Sequence, residues 1–249
     1  PEACSSCVFH CGRFARVRSG PYKGAYTAGP EYETLVSLGS KCDITDAAAI
    51  IKGNEICNLM GMDIVSAGSM VSFAMECNER GLLKGQDLGG LDLSWGNADA
   101  MLSLLEMMSC RKGIGDLLAD GSRIAAGKIG HGAESFAVQA NGLEQTGIDV
   151  RGSMSYALAF ALNPRGPDHL TTECLAEFAY TPEVRQLAIE VSGSEKGVDS
   201  LSPEGKPKLV AWHEDIYSVS DCLGICVFTD TWSYTRINFE NLATMFGTA

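Results

Sequence analysis

The residues best suited to chemistry are three closely spaced cysteines near the start of the chain. Cys4, Cys7 and Cys11 follow the pattern C-x2-C-x3-C. One loop with three thiolates at this spacing can wrap around an iron–sulfur cubane when a distant cysteine supplies the fourth ligand. The alternatives are a zinc site that includes His10 and simple packing of the cysteines. Zinc motifs usually combine two matched pairs, and no second C-x2-C occurs here. The spacing therefore favours a [4Fe–4S] cluster.

On residue pattern alone, the fourth ligand has two candidates. Cys42 follows Cys11 at a spacing similar to that of the large molybdopterin oxidoreductases that resemble formate dehydrogenase. Cys226 lies far downstream, in Asp221-Cys-Leu-Gly-Ile-Cys226. Four further cysteines lie inside apolar helical patterns and are predicted to pack as small apolar side chains: Cys57, Cys77, Cys110 and Cys174.

Composition limits the classes of function. The chain has 249 residues, 45% of them apolar, which is enough for one large domain or two smaller ones. Its formal net charge of -12 disfavours binding to nucleic acid, because phosphates repel an acidic surface. Charged residues or glycines interrupt the apolar stretches before they reach the length of a membrane span, and no secretory signal is found. We expect a cytoplasmic, reducing location and, from the start at Pro1 without Met, a fragment of a longer protein.

Helical spacing of apolar residues dominates the pattern, and no series of alternating strands is found. Asp43 or Thr45 is expected to cap the helix over 46–60. Its broad apolar face holds Ile50, Ile51, Ile56 and Leu59. The first thirty residues and 192–207 are predicted to be loops, and 222–229 a strand or turn. The predicted helices cover 31–39, 46–60, 67–80, a stretch that begins at Asn97 or Asp99, 152–162, part of 170–190 with a break near Thr181-Pro182, and a segment after Asn238. Two glycines flank a short piece over 116–120.

Six motifs, in order along the chain, are similar to those of the aldehyde ferredoxin oxidoreductase family of tungsten, and sometimes molybdenum, enzymes. The resemblance covers most of the sequence. The motifs are the cysteine loop with its Cys-Gly-Arg ending, Gly29-Pro-Glu-Tyr-Glu-Thr34, Asn54–Asn58 leading into Gly61-Met62-Asp63, Asp149 with Arg151-Gly152, Asn163-Pro-Arg-Gly-Pro-Asp-His169, and Asp221–Cys226.

The resemblance implies a fold and cofactors. The fold would be mainly α, with two helical pterin-binding domains over 1–140 and 141–249, and the family's N-terminal β-rich domain would be missing from this chain. A tungsten (or molybdenum) bis-molybdopterin would lie beside a [4Fe–4S] cluster. The family's pterin loops, D-x-x-G-L-D and D-x-x-G-L-C, correspond here to Asn58–Asp63 and Asp221–Cys226. Asn58 departs from the aspartate of the pattern, and helix capping is the alternative role for Asp63 and Asp221.

The resemblance also assigns site residues. It makes Cys226 the fourth cluster ligand in preference to Cys42. It places Glu33 and His169 near the metal, as a base for water or hydrated aldehyde and as a hydrogen-bond donor or proton shuttle. Glu31 competes with Glu33, because two residues that are two positions apart on a helix point in different directions.

The implied function is oxidation of a small aldehyde to a carboxylate, with electrons leaving through the cluster to ferredoxin or another low-potential carrier. One alternative is a family relative that reduces a ring or acid substrate. Another is a non-catalytic iron–sulfur electron-transfer module. We do not expect binding to nucleic acid or to a membrane, and the chain could assemble into a homo-oligomer.

Overall fold

Helices form most of the protein. The structure is a computed structural model that describes residues 2–5, 7, 9–224, 226 and 228. The prediction of a mainly α fold is confirmed. Strand β1 (Phe14–Arg16) pairs antiparallel with β2 (Tyr26–Ala28), and β3 (Gln139–Ala140) pairs with β4 (Leu143–Glu144). Within the described residues the helices are α1 Tyr32–Leu38, α2 Ala47–Met60, α3 Ile64–Glu79, α4 Ala98–Cys110, α5 Ile114–Leu118, α6 Ser122–Ile129, α7 Met154–Leu162, α8 Pro182–Ser192 and α9 Lys206–Leu223.

The chain divides into two compact units. The first comprises Pro1–Gly147 and Arg165–Pro167, and the second comprises Ile148–Pro164 and Asp168–Ala249. The assignment of pterin-binding domains with a boundary near residue 140 stays a prediction.

The core of the first unit forms between helix pairs. Helix α1 packs against α3, and α2 packs against α4, around fully buried side chains such as Met75, Leu104 and Leu105. Gly68 allows the first pair to approach closely, because a Cβ at this position would lie 2.3 Å from the carbonyl oxygen of Ser37. This packing fixes α1, whose first turn carries Glu33.

Polar side chains begin three of these helices. Asp46 caps α2 by accepting from the amide of Ala48, so the prediction of Asp43 or Thr45 as the cap is wrong. Asp43 has a left-handed backbone with a φ of 57°, which ends the preceding 3-10 turn instead. Asp63 caps α3, and this helix therefore begins three residues before the predicted position 67. Asn97 caps α4, which resolves the choice between Asn97 and Asp99.

The second unit is built on α7, α8 and α9. Both α7 and α8 pack against α9. Thr181-Pro182, predicted as a break, is the start of α8: Thr181 accepts from the amide of Val184, and proline occupies the first helical position. Proline is well tolerated there, because the first turn of a helix has no internal partner for its N–H groups.

The exposed loop predicted over 192–207 is wrong in two places: a 3-10 turn covers Glu195–Val198, and the loop ends at Lys206, where a helix begins. Lys206 is 1% exposed, and its Nζ lies 2.5 Å from Oε1 of Glu177 and donates to the carbonyl oxygen of Gly197 at 2.7 Å. Lys206 also begins α9, a helix that the sequence analysis did not predict. Leu209, Val210, His213, Ile216, Tyr217 and Ser220 are buried along one face of it at helical spacing.

The first thirty residues contain a short hairpin where only a loop was predicted. Phe14 pairs with Ala28 and Arg16 with Tyr26. The final predicted helix, after Asn238, lies outside the described residues. Residues 222 and 223, predicted as strand or turn, are the end of α9. None of the described helices is both long and apolar enough to cross a membrane.

Candidate cluster loop and cofactor site

The three clustered cysteines lie on a loop that the backbone closes at its base. The amide of Glu2 donates to the carbonyl oxygen of Gly12 at 2.7 Å, and inside the loop the amide of Cys7 donates to the carbonyl oxygen of Cys4 at 3.0 Å. A Cβ at residue 12 would lie 3.1 Å from the Glu2 oxygen, so glycine suits the closure. Cys4 and Cys11 are exposed and Cys7 is half-buried. Accessible thiols can deprotonate and bind metal.

The buried cysteines have the opposite character. Burial raises the pKa of each of their thiols to about 12, because a thiolate is poorly solvated in the core. Cys42 is among them, with its Sγ 3.4 Å from the carbonyl oxygen of Ser37. Cys226 is exposed. Cys110 is exposed as well, so its predicted packing in the core is wrong. The cysteines with this raised pKa are Cys42, Cys57, Cys77 and Cys174.

Whether an iron–sulfur cluster fits this chain depends on the three accessible cysteines of the loop, Cys4, Cys7 and Cys11. Across residues 2–5, 7, 9–224, 226 and 228, no group of three or more Cys, His, Asp or Glu side chains is already gathered as a metal site. The loop nevertheless offers three accessible soft donors at C-x2-C-x3-C spacing, which is the ligand type that iron–sulfur clusters use.

The two predicted pterin loops begin in the same way. Asn58 lies in the last turn of α2, which ends at Gly61 with φ 67° and ψ 32°. Asp221 lies in the last turn of α9, which ends at Gly224 with φ 66° and ψ 28°. In each case the polar residue stands three positions before a left-handed glycine, a conformation that favours glycine at the end of a helix. Asn58 and Asp221 are both exposed.

The first loop forms the corner between α2 and α3. The Nδ2 of Asn58 donates to Oγ1 of Thr27 at 2.9 Å, on strand β2. Asp63 is exposed, and its Oδ2 accepts from the amide of Ser66 at 2.7 Å. A cleft of about 450 Å³ opens beside this corner. Its lining includes Met60, Met62, Asp63, Ser66, Met70 and Met108.

Glu33 is held by the backbone that follows β4. Its Oε2 accepts from the amide of Gly147 at 2.8 Å, and the hydroxyl of Tyr32 donates to the carbonyl oxygen of the same residue at 2.9 Å. Glu33 is half-buried, whereas Glu31 is exposed with its carboxylate 3.9 Å from Arg13. Of the two competing glutamates, Glu33 is therefore the one directed into the protein.

Lys41 holds the same segment and was missed by the sequence analysis. Its Nζ donates to the carbonyl oxygen of Gln145 at 2.6 Å and to Oγ of Ser69 at 2.9 Å. Burial lowers the pKa of the Lys41 ammonium, and the neighbouring Glu33 carboxylate acts in the opposite direction. The contact of Lys41 with Gln145 and the contact of Glu33 with Gly147 together fix this backbone segment, which orients the Glu33 carboxylate.

His169 belongs to the second unit. Its Nε2 lies 3.6 Å from Oε1 of Glu173, whose Oε2 accepts from the hydroxyl of Tyr217 at 3.5 Å. The preceding residue, Asp168, is buried and accepts from the amide of Leu170 at 2.8 Å. Sequence reasoning identified His169 but not Glu173 or Tyr217, since no local pattern links positions 173 and 217.

Arg151 has a local role in the same unit. It lies 2.7 Å from Asp149 and its side chain is 88% exposed. Hydrogen bonds from Arg151 lower the pKa of the Asp149 carboxyl to about 2. The pair stabilises its own turn, in which Asp149 accepts from the amide of Arg151.

Comparison with known proteins identifies the family. The fold and the loop first define the class: a mainly helical protein with a backbone-closed loop that carries three cysteines. The family model described as "Aldehyde ferredoxin oxidoreductase, domains 2 & 3" matches residues 1–249. The chain belongs to this family, a family of tungsten oxidoreductases, and the predicted resemblance is confirmed.

Individual relatives show the range of the family. A tungsten-containing aldehyde ferredoxin oxidoreductase of Pyrococcus furiosus is 32% identical over 229 residues, 92% of this chain and 35% of that protein. An aliphatic sulfonate oxidoreductase, WOR-like subunit, of the same organism is 31% identical over 184 residues, 72% of this chain and 29% of that protein. This chain thus spans about a third of the length of the curated relatives it matches.

A solved structure extends the comparison. The active site complex BamBC of benzoyl coenzyme A reductase, in complex with 1,5 dienoyl-CoA, matches with a TM-score of 0.69 and 25% identity. The match covers 90% of this chain and 36% of that one. The same helical fold therefore occurs in a relative named as a reductase.

Proposed function

We propose that the chain is part of an enzyme that oxidises a small aldehyde to a carboxylate and passes the electrons to ferredoxin or a similar low-potential carrier. The aldehyde and one water become a carboxylate, three protons and two electrons. The single observation that carries the proposal is the closed loop with three accessible thiols in a chain of this family. The relatives named as tungsten-containing aldehyde ferredoxin oxidoreductases support it.

The residues that would hold the cofactors follow from the donor set and the two glycine corners. Cys4, Cys7 and Cys11, with Cys226 as the fourth, would hold a [4Fe–4S] cluster. Exposed polar side chains at the two corners would hold a bis-molybdopterin with tungsten or molybdenum: Asn58, Asp63 and Asp221. When bound, the metal–pterin centre supplies the two-electron oxidation and the cluster carries the electrons away singly.

Two side chains of this chain, Glu33 and His169, would supply the acid–base chemistry. Glu33 accepts a proton from water or the hydrated aldehyde at the carboxylate, whose Oε2 is fixed by the amide of Gly147. His169 donates a hydrogen bond to the developing oxyanion or moves a proton. A positioned acid or base of this kind contributes about 10²–10⁴-fold to the rate.

A second candidate is reduction of a ring or acid substrate. The match to a benzoyl coenzyme A reductase complex favours it. The two activities separate in one assay of the complete enzyme, purified without oxygen. Reduction of a viologen dye that depends on an aldehyde supports aldehyde oxidation. Oxidation of the reduced dye that occurs only with an aromatic thioester supports the reductase activity.

Elemental analysis of the same preparation tests the non-catalytic alternative. Iron together with tungsten or molybdenum supports the enzyme, and iron alone supports an electron-transfer module. We also propose a cytoplasmic location, since a reducing compartment keeps thiols available to bind a cluster.

A further inference from the structure

The hairpin of β1 and β2 carries a charge opposite to that of the chain. Residues 12–30 contain four cationic side chains and no carboxylate, in a chain whose net charge is -12. Each of the four residues is exposed: Arg13, Arg16, Arg18 and Lys23. The Glu31 carboxylate, 3.9 Å from Arg13, offsets the charge of that one residue in part. The hairpin is therefore a positive surface on a negative protein.

The outer face of the hairpin carries two stacked aromatic rings. Phe14 on β1 and Tyr26 on β2 are 50% and 46% exposed, and their ring centroids lie 5.3 Å apart at an interplanar angle of 10°. The guanidinium of Arg16, the cross-strand partner of Tyr26, lies over the Tyr26 ring at 5.1 Å from its centroid. Phe14 and Arg16 share this face because side chains two positions apart on a strand point the same way. Exposed aromatic and arginine side chains are typical anchors of protein interfaces.

Helix α2 holds the hairpin in place. Oγ1 of Thr27 accepts from Nδ2 of Asn54 at 3.2 Å and from Nδ2 of Asn58 at 2.9 Å. Oε1 of Glu55 accepts from the amide of Tyr26 at 2.8 Å. Because the strands are fixed to this helix, the aromatic face is preorganised, and a preorganised surface loses less conformational entropy when a partner binds.

The hairpin also lies next to the cysteine loop. Nη2 of Arg13 lies 3.5 Å from the carbonyl oxygen of Cys11. Phe14 follows Cys11 by three residues, so the Cα atoms of the two are at most about 11 Å apart. A protein that docks on the outer face would therefore stand close to the cluster that the loop would hold.

We propose that the outer face of this hairpin is the docking surface of the electron acceptor, and that the acceptor is a small acidic protein. The inference rests on the proposed function, because it needs a cluster in the loop and an aldehyde that supplies electrons. Two oxidised acceptor molecules would each take one electron from the cluster for every aldehyde oxidised.

Charge selects this occupant over other anionic partners. The negative charge of the rest of the chain repels an acidic protein, so the basic hairpin is where such a protein is attracted. A compact protein can contact the hairpin alone, whereas a long polyanion such as nucleic acid would also meet the acidic surface around it. Weak electron-transfer complexes bury little area, so a two-stranded face is large enough.

Charge reversal in the complete, metal-loaded enzyme tests the electrostatic part. Arg16→Glu combined with Arg18→Glu should raise the KM for a purified acidic ferredoxin by about 10-fold or more at low salt, because steering is lost. The difference should shrink at 1 M salt, where the Debye length is about 3 Å. Aldehyde-dependent reduction of viologen should not fall, because an acidic hairpin does not repel a cationic dye. Lys84→Glu combined with Lys112→Glu makes the same change in net charge at exposed positions elsewhere and should keep the parental KM.

Phe14→Ala tests the aromatic part. It should raise the KM for the ferredoxin by about 5-fold or more at low and at high salt, because ions do not screen the contact of an apolar anchor. Ile124→Ala is the matched control, since Ile124 is 45% exposed on α6, and it should keep the parental KM.

The outcomes separate this inference from the proposed function. If the parent does not reduce viologen with an aldehyde, the proposed function fails and the inference fails with it. If the parent does so but Arg16→Glu with Arg18→Glu keeps the ferredoxin KM of the control, only the docking surface is wrong. Unchanged ferredoxin kinetics with loss of binding to phosphatidylserine vesicles would assign the face to a membrane and also overturn the inference.

A milder variant decides the case in which the double reversal loses tungsten or iron. Lys23 lies in the turn of the hairpin, where its amide donates to the carbonyl oxygen of Gly20 at 3.2 Å. Lys23→Glu with full metal content should raise the ferredoxin KM by about 2–5-fold at low salt. A parental KM in this variant would overturn the inference.

Discussion

The carboxylate of Glu33 accepts a hydrogen bond from the amide of Gly147 at 2.8 Å, across 114 positions of sequence. This bond joins the first turn of α1 to the segment that follows β4. This hydrogen bond occupies one carboxylate oxygen and fixes the orientation of the Glu33 side chain before substrate binds. The contact of nearby Glu31 is looser: its carboxylate lies 3.9 Å from the guanidinium of Arg13, and both side chains are exposed.

This difference predicts different results for two matched substitutions. Glu33→Gln keeps an oxygen that accepts from Gly147, but it removes the base, so turnover should fall by about 10²–10⁴-fold with cofactor content unchanged. Glu31→Gln should stay within a few-fold of the parent. Aldehyde-dependent dye reduction, normalised to tungsten, measures both. Equal effects of the two substitutions, or loss of cofactor in Glu33→Gln, would refute the assignment.

Asn58 should bind pterin through its amide oxygen, because its Nδ2 already donates to Thr27. A neutral hydrogen bond is about half as strong as a charge-assisted one, so Asn58→Asp should retain or raise pterin occupancy. Asn58→Leu should lower it, since an unpaired pterin N–H costs about 1–3 kcal/mol.

Pterin released and oxidised from equal amounts of the complete enzyme gives the occupancy of each variant. Parental pterin content in Asn58→Leu would show that residue 58 does not bind the cofactor.

His213 should make the protein sensitive to acid. It is fully buried, and desolvation lowers the pKa of its imidazole to about 3, below the usual value of 6.5. The unfolded chain therefore takes up a proton as the pH falls below 6.5, while the folded protein does not until about pH 3. Over this window stability falls with a slope of up to about 1.4 kcal/mol per pH unit from this group.

His213→Leu should flatten the dependence of the melting temperature on pH between about 6 and 4. His131→Asn, at an exposed position, should leave the dependence as it is in the parent. An unchanged slope in His213→Leu would contradict the contribution assigned to His213.

Lys206 and Glu177 should be strongly coupled in stability. The pair is buried on both sides, with side chains 2% and 0% exposed. Lys206→Met leaves the Glu177 carboxylate buried without its cation and should cost about 3–5 kcal/mol. Lys196→Met breaks an exposed pair with Glu204 and should cost about 0–1 kcal/mol.

Thermal or denaturant unfolding compares the two variants. In addition, Lys206→Met combined with Glu177→Gln should cost less than the sum of the single substitutions, because the double variant leaves no lone charge. Similar small costs for both lysines would contradict the buried coupling.

Local patterns in the sequence predict much of the helical framework but not the contacts that position the site. Asn97 is recognisable as a cap because a short polar side chain precedes a run with helical spacing. Leu59 was predicted on a buried face and is 77% exposed, because α2 ends there at a corner. Helix α9 was missed because its start, Lys206-Pro207, resembles a loop, although the buried positions from Leu209 to Ser220 have helical spacing.

The cluster loop and the histidine show the same limit. The spacing of Cys4, Cys7 and Cys11 is local, so one sequence carries the prediction of a cluster at this loop, and it stays a prediction. The pairing of Gly147 with Glu33 and of Tyr217 with Glu173 joins residues distant in sequence. Such contacts depend on tertiary packing, which one sequence does not encode in any local pattern.

The most direct test of the account is the iron content of the complete enzyme and two cysteine variants, purified without oxygen. The parent should contain about four irons per chain as one cubane. Cys226→Ala should lose the cluster or keep a three-iron form, whereas Cys42→Ala should keep all of it, because Cys42 is fully buried in the core with its Sγ 3.4 Å from the carbonyl oxygen of Ser37. Loss of iron in Cys42→Ala with retention in Cys226→Ala, or stoichiometric zinc without iron in the parent, would contradict the account.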